Sequence, residues 1–473
     1  MLLRRFYYDG LAQASYMVGC HATKEAIVID PHRDAELYVQ AAEKEGMQIR
    51  YVSETHIHAD YLSGSLQLAA RTGAQLLLSG EGDEAWQYRF AEREGAKLLH
   101  EGDGIELGNV HLGVLHTPGH TPEHVSFLIT DRATTTHPMG IITGDFVFVG
   151  DVGRPDLLET AAGLSGTMET SARELFRSLQ RLRELPVHVQ ILPGHGAGSA
   201  CGKALGAVPT STLGYEMLVN WAFQCDTESD FVKKVLDDQP EPPAYFAKMK
   251  ELNRDGPPVL ACLPTPQQLD AQRVSSVLDG TGTVVDTRPA SDFAGGHLPG
   301  TLSIPLGNDF PGTCGTLLPY DRPVFLVARD QQGAVDAARD LAFIGLDDVE
   351  GYLDPAILVD WTASHGRLQE MVEVGWEDAE RARTEEGAVI VDVRGSSDWR
   401  SGHVPHARHA YLGALRMHAG ELPRNRPVIL YCQAGIRSAV AASVLQAEGF
   451  EDVRSVRGGI SARGAMGLPL VSD

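Results

Sequence analysis

One segment of this chain is written twice. Val285-Asp286-Thr287-Arg288, followed by Gly296-His297-Leu298-Pro299, returns as Val391-Asp392-Val393-Arg394, followed by Gly402-His403-Val404-Pro405, at an offset of 106 residues. Each copy runs on into an apolar strand-like stretch, Pro323-Val324-Phe325-Leu326-Val327 or Pro427-Val428-Ile429-Leu430-Tyr431, then a loop and an Ala-rich helix. That period is too long for a solenoid, so it reads as a duplicated α/β domain. A chain of 473 residues also exceeds what one hydrophobic core supports, and a prior of about 150 residues per domain gives three. The expected domains are 1–255, 262–370 and 375–473.

The N-terminal part alternates apolar runs, such as Ala26-Ile27-Val28-Ile29, with helix-like stretches and reads as α/β. Helical spacing over 63–71 ends at Gly73, and a longer amphipathic pattern over 169–185 stops at Pro186. Pro240-Glu241-Pro242-Pro243 and Asp255-Gly256-Pro257-Pro258 predict a semi-rigid connector without regular structure. No run approaches 18 apolar residues, and the start lacks a signal peptide's apolar stretch and cleavage site, so a cytoplasmic chain is expected. Six scattered cysteines suit reduced thiols. A net charge of −23 opposes nucleic-acid partners, and no membrane partner is expected.

Four segments carry metal-ligand chemistry. In Thr55-His56-Ile57-His58-Ala59-Asp60 the three polar side chains stand two apart, so in extended chain they converge on one side. Thr117-Pro118-Gly119-His120, Thr143-Gly144-Asp145 and Pro193-Gly194-His195-Gly196 follow, each after an apolar run. This order resembles the metallo-β-lactamase superfamily and implies an αββα sandwich over about the first 230 residues. Two-metal hydrolases of that superfamily carry His-x-His-x-Asp-His, whereas here the last position is Tyr61. One metal with open positions is therefore expected, held by His56, His120 and Asp145, a donor set suited to non-haem Fe(II) oxygen chemistry. His58 is a fourth ligand or a supporting donor. Asp60, Tyr61, His124 and His195 surround the ligands, with His124 orienting one of them.

The stretch 144–156, Gly-Asp-Phe-Val-Phe-Val-Gly-Asp-Val-Gly-Arg-Pro-Asp, is similar to persulfide dioxygenases. That resemblance implies that Arg154 contacts the carboxylate of a thiol carrier; the other reading is an ion pair with Asp151 or Asp156. Cys201 lies six residues beyond His195, and its thiol either nears the metal pocket or sits on a loop without function.

In the last copy, Cys432-Gln433-Ala434-Gly435-Ile436-Arg437 lies between strand and helix, where loop N–H groups, the helix N-terminus and Arg437 would stabilise a thiolate or its persulfide. The whole constellation resembles rhodanese domains. Phosphatases of related fold have one more residue between cysteine and arginine, so the loop implies sulfur rather than phosphate. The middle copy aligns Ala328 with Cys432 and Gly333 with Arg437, and so lacks both groups.

Together the expectation is an α/β multidomain enzyme: a metallo-β-lactamase sandwich followed by two rhodanese-like domains. It would oxidise a low-molecular-weight persulfide with dioxygen to sulfite at one Fe(II) per chain, and pass sulfane sulfur through Cys432 to thiosulfate, in sulfide detoxification. A glyoxalase II-like zinc thioester hydrolase and a non-catalytic persulfide sensor are the competing readings. The carrier thiol and assembly with further copies of the chain stay open.

Overall fold

The computed structural model describes residues 1–157, 166–203, 205–270, 277, 280 and 282–472, and the chain divides into two compact units. The first comprises Met1–Leu263 with Ala342–Gly345, the second Pro264–Leu341 with Leu346–Asp473.

In the first unit, β1 (Leu2–Tyr8), β2 (Gln13–Cys20), β3 (Glu25–Ile29), β4 (Gln48–Ser53), β5 (Gln75–Ser79) and β6 (Lys97–Leu99) form one sheet in sequence order. A second sheet, also in sequence order, holds β7 (Gly104–Leu107), β8 (Val110–His116), β9 (Val125–Asp131), β10 (Gly140–Gly144), β11 (Gln190–Pro193) and β12 (Ser211–Thr212). Side-chain alternation sorts the apolar residues into layers. Ala14, Tyr16, Val18, Ile27 and Ile29 face across to Leu112, Val114, Phe127, Ile129 and Ile142, forming the core between the sheets. Their neighbours Met17, Ala26 and Val28 point the other way, onto the helices Ala35–Glu45 and Ser65–Thr72. Ile141 and Ile191 likewise turn outward, onto the helix Met168–Leu182 and Phe231. The result is helix, sheet, sheet, helix.

Both helices anticipated from spacing form, the first capped by Gly73 at φ 71°. The connector does not behave as expected. Between its two proline clusters lies a helix, Phe246–Asp255, whose Phe246, Met249 and Asn253 are buried in the first unit. The i, i+3 spacing of Phe246 and Met249 supplies an apolar face that the flanking prolines leave intact, since they stand outside the helix.

The second unit contains two five-stranded parallel sheets. The first has β13 (Gln267–Gln268), β14 (Thr283–Asp286), β15 (Leu302–Ser303), β16 (Val324–Val327) and β17 (Val349–Leu353) in the order β13-β17-β16-β14-β15. The second has β18 (Val372–Val374), β19 (Val389–Asp392), β20 (Arg408–His409), β21 (Val428–Tyr431) and β22 (Val453–Val456), ordered β18-β22-β21-β19-β20. The two orders match position for position, so the sequence repeat is a repeat of topology. Within this unit the Ser303 N–H donates to Ser443 Oγ at 2.9 Å, tying β15 to the helix Ile436–Ala447.

Among the described residues no helix is long and apolar enough to cross a membrane, and all six cysteines are free thiols. Phe127, fully buried between the two sheets of the first unit, offers a test of that core. Phe127→Ala should destabilise the unit by about 3–5 kcal/mol, read as a lowered denaturant midpoint; an unchanged midpoint would contradict the layer assignment.

Candidate metal centre and sulfur-carrier loop

The four histidine- and aspartate-bearing segments lie at strand ends of the two sheets. His56 and His58 follow β4, His120 lies between β8 and β9, Asp145 follows β10 and His195 follows β11. His56, His120 and Asp145 each present a ligand atom, and the three atoms lie within 4.8 Å of one another. Asp145 Oδ2 stands 3.6 Å from His120 Nε2 and 3.9 Å from His56 Nε2.

Hydrogen bonds set the imidazole tautomers. Thr55 Oγ1 donates to Asp30 Oδ2 at 2.9 Å, so it accepts from His56 Nδ1–H, also at 2.9 Å, and the lone pair is left on His56 Nε2. His120 Nδ1–H donates to the Arg154 carbonyl at 3.0 Å and His195 Nδ1–H to the Ala12 carbonyl at 3.1 Å, turning both Nε2 lone pairs inward. His58 Nε2 meets Asp30 Oδ1 at 3.1 Å. Among the buried atoms without a hydrogen-bond partner are His56 Nε2, His58 Nδ1 and both carboxylate oxygens of Asp60 and Asp145. Orphaned acceptors so concentrated in a buried place are costly unless a cation meets them, so the donor set fits a metal ion.

Electrostatics agree. Burial, reinforced by the neighbouring imidazoles His58, His120, His124 and His195, pushes His56 well below the usual histidine range, and burial lowers His120 too. Both are thus neutral, as ligands must be. Burial opposes protonation of His58 as well, yet Asp30, with Asp60 and Glu54, raises it to about 9. Burial raises Asp60, with Asp145 adding to the rise and His195 opposing it.

The remaining residues singled out from sequence fall as follows. His124 accepts the Asp145 N–H at its Nε2, 3.2 Å away, and contacts Thr117 Oγ1 through Nδ1 at 2.9 Å, so it fixes the main chain of a ligand-bearing residue. Gly144 must be glycine there: its φ is 50°, and a Cβ would sit 2.4 Å from Thr55 Oγ1. The Tyr61 hydroxyl donates to the Asp30 carbonyl at 3.3 Å. Arg154 is fully buried and makes a two-pronged pair with Asp156 at 2.8 and 2.7 Å, with further bonds to the Ala200 and Pro240 carbonyls. This is the ion-pair reading of Arg154; four of its five N–H groups are spent on the protein itself. Cys201 is buried, and its Sγ joins Asp60 and His195 in a second group of ligand atoms within 4.8 Å.

Sequence reasoning missed Asp30 and Thr55. The available signal was a charged residue, Asp30, directly after four apolar strand residues that are all buried.

In the second unit, Cys432 follows β21 and is buried, its Sγ accepting the Gly435 N–H at 3.1 Å. Gly435, at φ 100°, makes that cradle, and the helix Ile436–Ala447 begins directly after it. Arg437 points outward, 42% exposed, with Nη2 3.8 Å from Asp398 Oδ2. The Asp-x-Arg motifs are internal braces in both copies: Arg394 pairs with Asp392 and bonds the Gly402 carbonyl, as Arg288 does with Asp286 and Gly296. In the middle copy Ala328 follows β16, and Asp330 Oδ1 accepts the Gly333 N–H at 2.8 Å, placing a carboxylate at the helix start.

Comparison with known proteins identifies the two domains. The family model of the metallo-beta-lactamase superfamily matches residues 8–195, and that of the rhodanese-like domain matches 376–464. A crystal structure of a metallo-beta-lactamase from Staphylococcus aureus is 41% identical, with a TM-score of 0.68, over 75% of this chain and 99% of that one. The chain belongs to the metallo-beta-lactamase superfamily. Its metallo-beta-lactamase domain is followed by a C-terminal rhodanese-like domain. Relatives of the metallo-beta-lactamase part differ in activity. A hydroxyacylglutathione hydrolase of Rhodospirillum rubrum is 30% identical over 38% of this chain, which spans only 60% of that protein. The mitochondrial persulfide dioxygenase of Mus musculus is 28% identical over 41% of this chain and 68% of its own length.

Because Asp30 orients both His56, through Thr55, and His58, Asp30→Asn should weaken metal binding by on the order of 10–100-fold. A chelator-competition titration measures this; unchanged affinity would show that the tautomers are set elsewhere.

Proposed function

We propose that this protein oxidises a low-molecular-weight persulfide to sulfite at a single Fe(II) site and passes sulfane sulfur through Cys432 to give thiosulfate. The observation that carries the reading is the donor set: two neutral imidazoles, His56 and His120, with the Asp145 carboxylate, while the residue at 61 is a phenol bonded to a backbone carbonyl. Two histidines and one carboxylate leave coordination positions open, the arrangement used by non-haem iron oxygenases. A bound Fe(II) would supply the redox chemistry that combines dioxygen with the outer sulfur of the persulfide. The balance is one persulfide, one dioxygen and one water in, with one thiol, one sulfite and two protons out.

The chain's own groups position and insulate. Thr55 and the Arg154 carbonyl hold the His56 and His120 rings through their Nδ1 atoms. His124 fixes the Asp145 main chain, and the burial of all these groups keeps bulk water from the reacting atoms. Arg154 acts by holding the 154–156 turn, and with it His120, rather than by gripping the carrier thiol.

At the second site, the Cys432 thiolate attacks the outer sulfur of a substrate persulfide, releasing the carrier thiol. Sulfite then attacks that sulfur through its lone pair, the S–S bond breaks, and Cys432 leaves as a thiolate stabilised by the Gly435 N–H. The middle copy is a rhodanese-like domain without transfer chemistry, since Ala328 has no nucleophile and the Asp330 carboxylate repels anions at the loop.

Thioester hydrolysis with zinc is the competing reading, since hydroxyacylglutathione hydrolases are among the relatives. Asp145→Ala should abolish oxygen uptake by the iron-loaded protein. Cys432→Ser should keep oxygen uptake but accumulate sulfite where the unaltered protein releases thiosulfate. Equal thiosulfate from both proteins, after subtraction of the uncatalysed reaction, would remove Cys432 from the pathway.

A further inference from the structure

Part of the first unit comes from the middle of the second unit's chain. Ala342–Gly345 belongs to the first unit, whereas Pro264–Leu341 before it and Leu346–Asp473 after it belong to the second. The segment is the end of the helix Gln331–Phe343 and the turn that follows. Carbonyls at a helix end have no partner within the helix, and here the first unit supplies partners. The Leu62 N–H donates to the Phe343 carbonyl at 2.7 Å, and Nη1 of the buried Arg33 donates to the Ala342 carbonyl at 2.9 Å, a cation at the negative end of a helix. The Phe343 ring stacks on His32, centroids 4.7 Å apart, and meets the Tyr8 ring edge-on at 4.9 Å.

These contacts fall on the two loops that set the metal centre. His32 and Arg33 follow Asp30, and Leu62 follows Tyr61 in the stretch that begins at His56. The Gly64 N–H donates to the Pro31 carbonyl at 2.7 Å, tying one loop to the other. Phe343 spans both, its ring on the first loop and its carbonyl on the second.

The sequence repeat supplies the control. The alignment that sets Ala328 against Cys432 also sets Leu341-Ala342-Phe343-Ile344-Gly345-Leu346 against Leu445-Gln446-Ala447-Glu448-Gly449-Phe450. The two helices end alike: the Leu346 N–H donates to the Leu341 carbonyl and the Phe450 N–H to the Leu445 carbonyl, both at 3.0 Å, around Gly345 at φ 76° and Gly449 at φ 82°. Yet Ala447 and Glu448 are exposed, while Phe343 and Ile344 are buried. The last copy thus closes the same turn without an apolar pair, so Phe343 and Ile344 answer to the loops they touch and not to the helix end itself.

We infer that Phe343, with Ile344, is a positioning element for the metal centre, and that this is what the middle copy contributes in place of a reactive loop. Fixing the neighbours of Asp30 and Tyr61 keeps Asp30 set against Thr55 and His58, and so keeps the His56 ring turned to the metal. The role holds whichever reaction the centre performs.

The test writes the last copy's helix end into the middle copy of the full-length chain, as Phe343→Ala with Ile344→Glu. Amide hydrogen exchange over residues 57–64, read without metal, should quicken. Loaded with cobalt(II) in the absence of oxygen, the variant should show shifted visible ligand-field bands and, by chelator competition, an affinity lower by on the order of 10-fold. Thiosulfate:cyanide transfer by Cys432 should stay as in the parent. Phe343→Leu, which keeps apolar bulk in the same place, should restore the parent's cobalt bands. Unchanged exchange would overturn the inference. So would cobalt bands and affinity equal to the parent's, since the segment would then only pack. Loss of Cys432 transfer together with the metal would overturn it too, by marking the segment as general core.

Discussion

The Asp30 carboxylate holds the metal-facing loop of this protein in register. It sits at the end of β3 in a left-handed conformation, φ 55°, that few non-glycine residues adopt. From there it accepts the Thr55 N–H at 2.7 Å, the Thr55 hydroxyl at 2.9 Å and the His58 ring at 3.1 Å, while its own carbonyl takes the Tyr61 hydroxyl and Gln13 Nε2. One residue thus sets two imidazoles and parks the phenol that stands where a further imidazole would be. The strain at Asp30 is held by these five bonds.

The same economy governs Asp145. It is delivered by a glycine that no other residue could replace without meeting Thr55, its N–H is taken by His124, and its two oxygens look toward different groups of donors. Beside the neutral His56 and His120, the unpartnered carboxylates of Asp60 and Asp145 are buried, a donor set that a cation balances. Chemistry at the site follows from which cation enters and how many coordination positions stay open.

Much of this was legible from residue order. The 106-residue repeat gave the paired sheets, because Asp-x-Arg and Gly-His-x-Pro recur at the same places in both, and the structure explains why. The arginine ties its own aspartate to the glycine carbonyl in each copy. His56, His120 and Asp145 could be named because each follows an apolar strand. What could not be read was the company they keep. Asp30 lies 25 residues from Thr55 and shows no motif, and Arg154 spends its donors on Asp156 and on carbonyls 46 and 86 residues away. The helix Phe246–Asp255 was hidden by the prolines on either side, and Asn253, which bonds the His58 and Tyr61 carbonyls, was hidden with it.

The middle copy keeps the brace, with Ala328 after β16 where the last copy has Cys432 after β21. A carboxylate, Asp330, bonds the helix start where the last copy leaves N–H groups for a sulfur anion. Oxygen consumption separates a persulfide-oxidising first site from a thioester-cleaving one. An oxygen-electrode trace of the anaerobically iron-loaded protein, run with a low-molecular-weight persulfide and then with a glutathione thioester, tests this most directly. One dioxygen consumed per persulfide, with no thioester cleavage, is the expected result; thioester hydrolysis without oxygen uptake would contradict it.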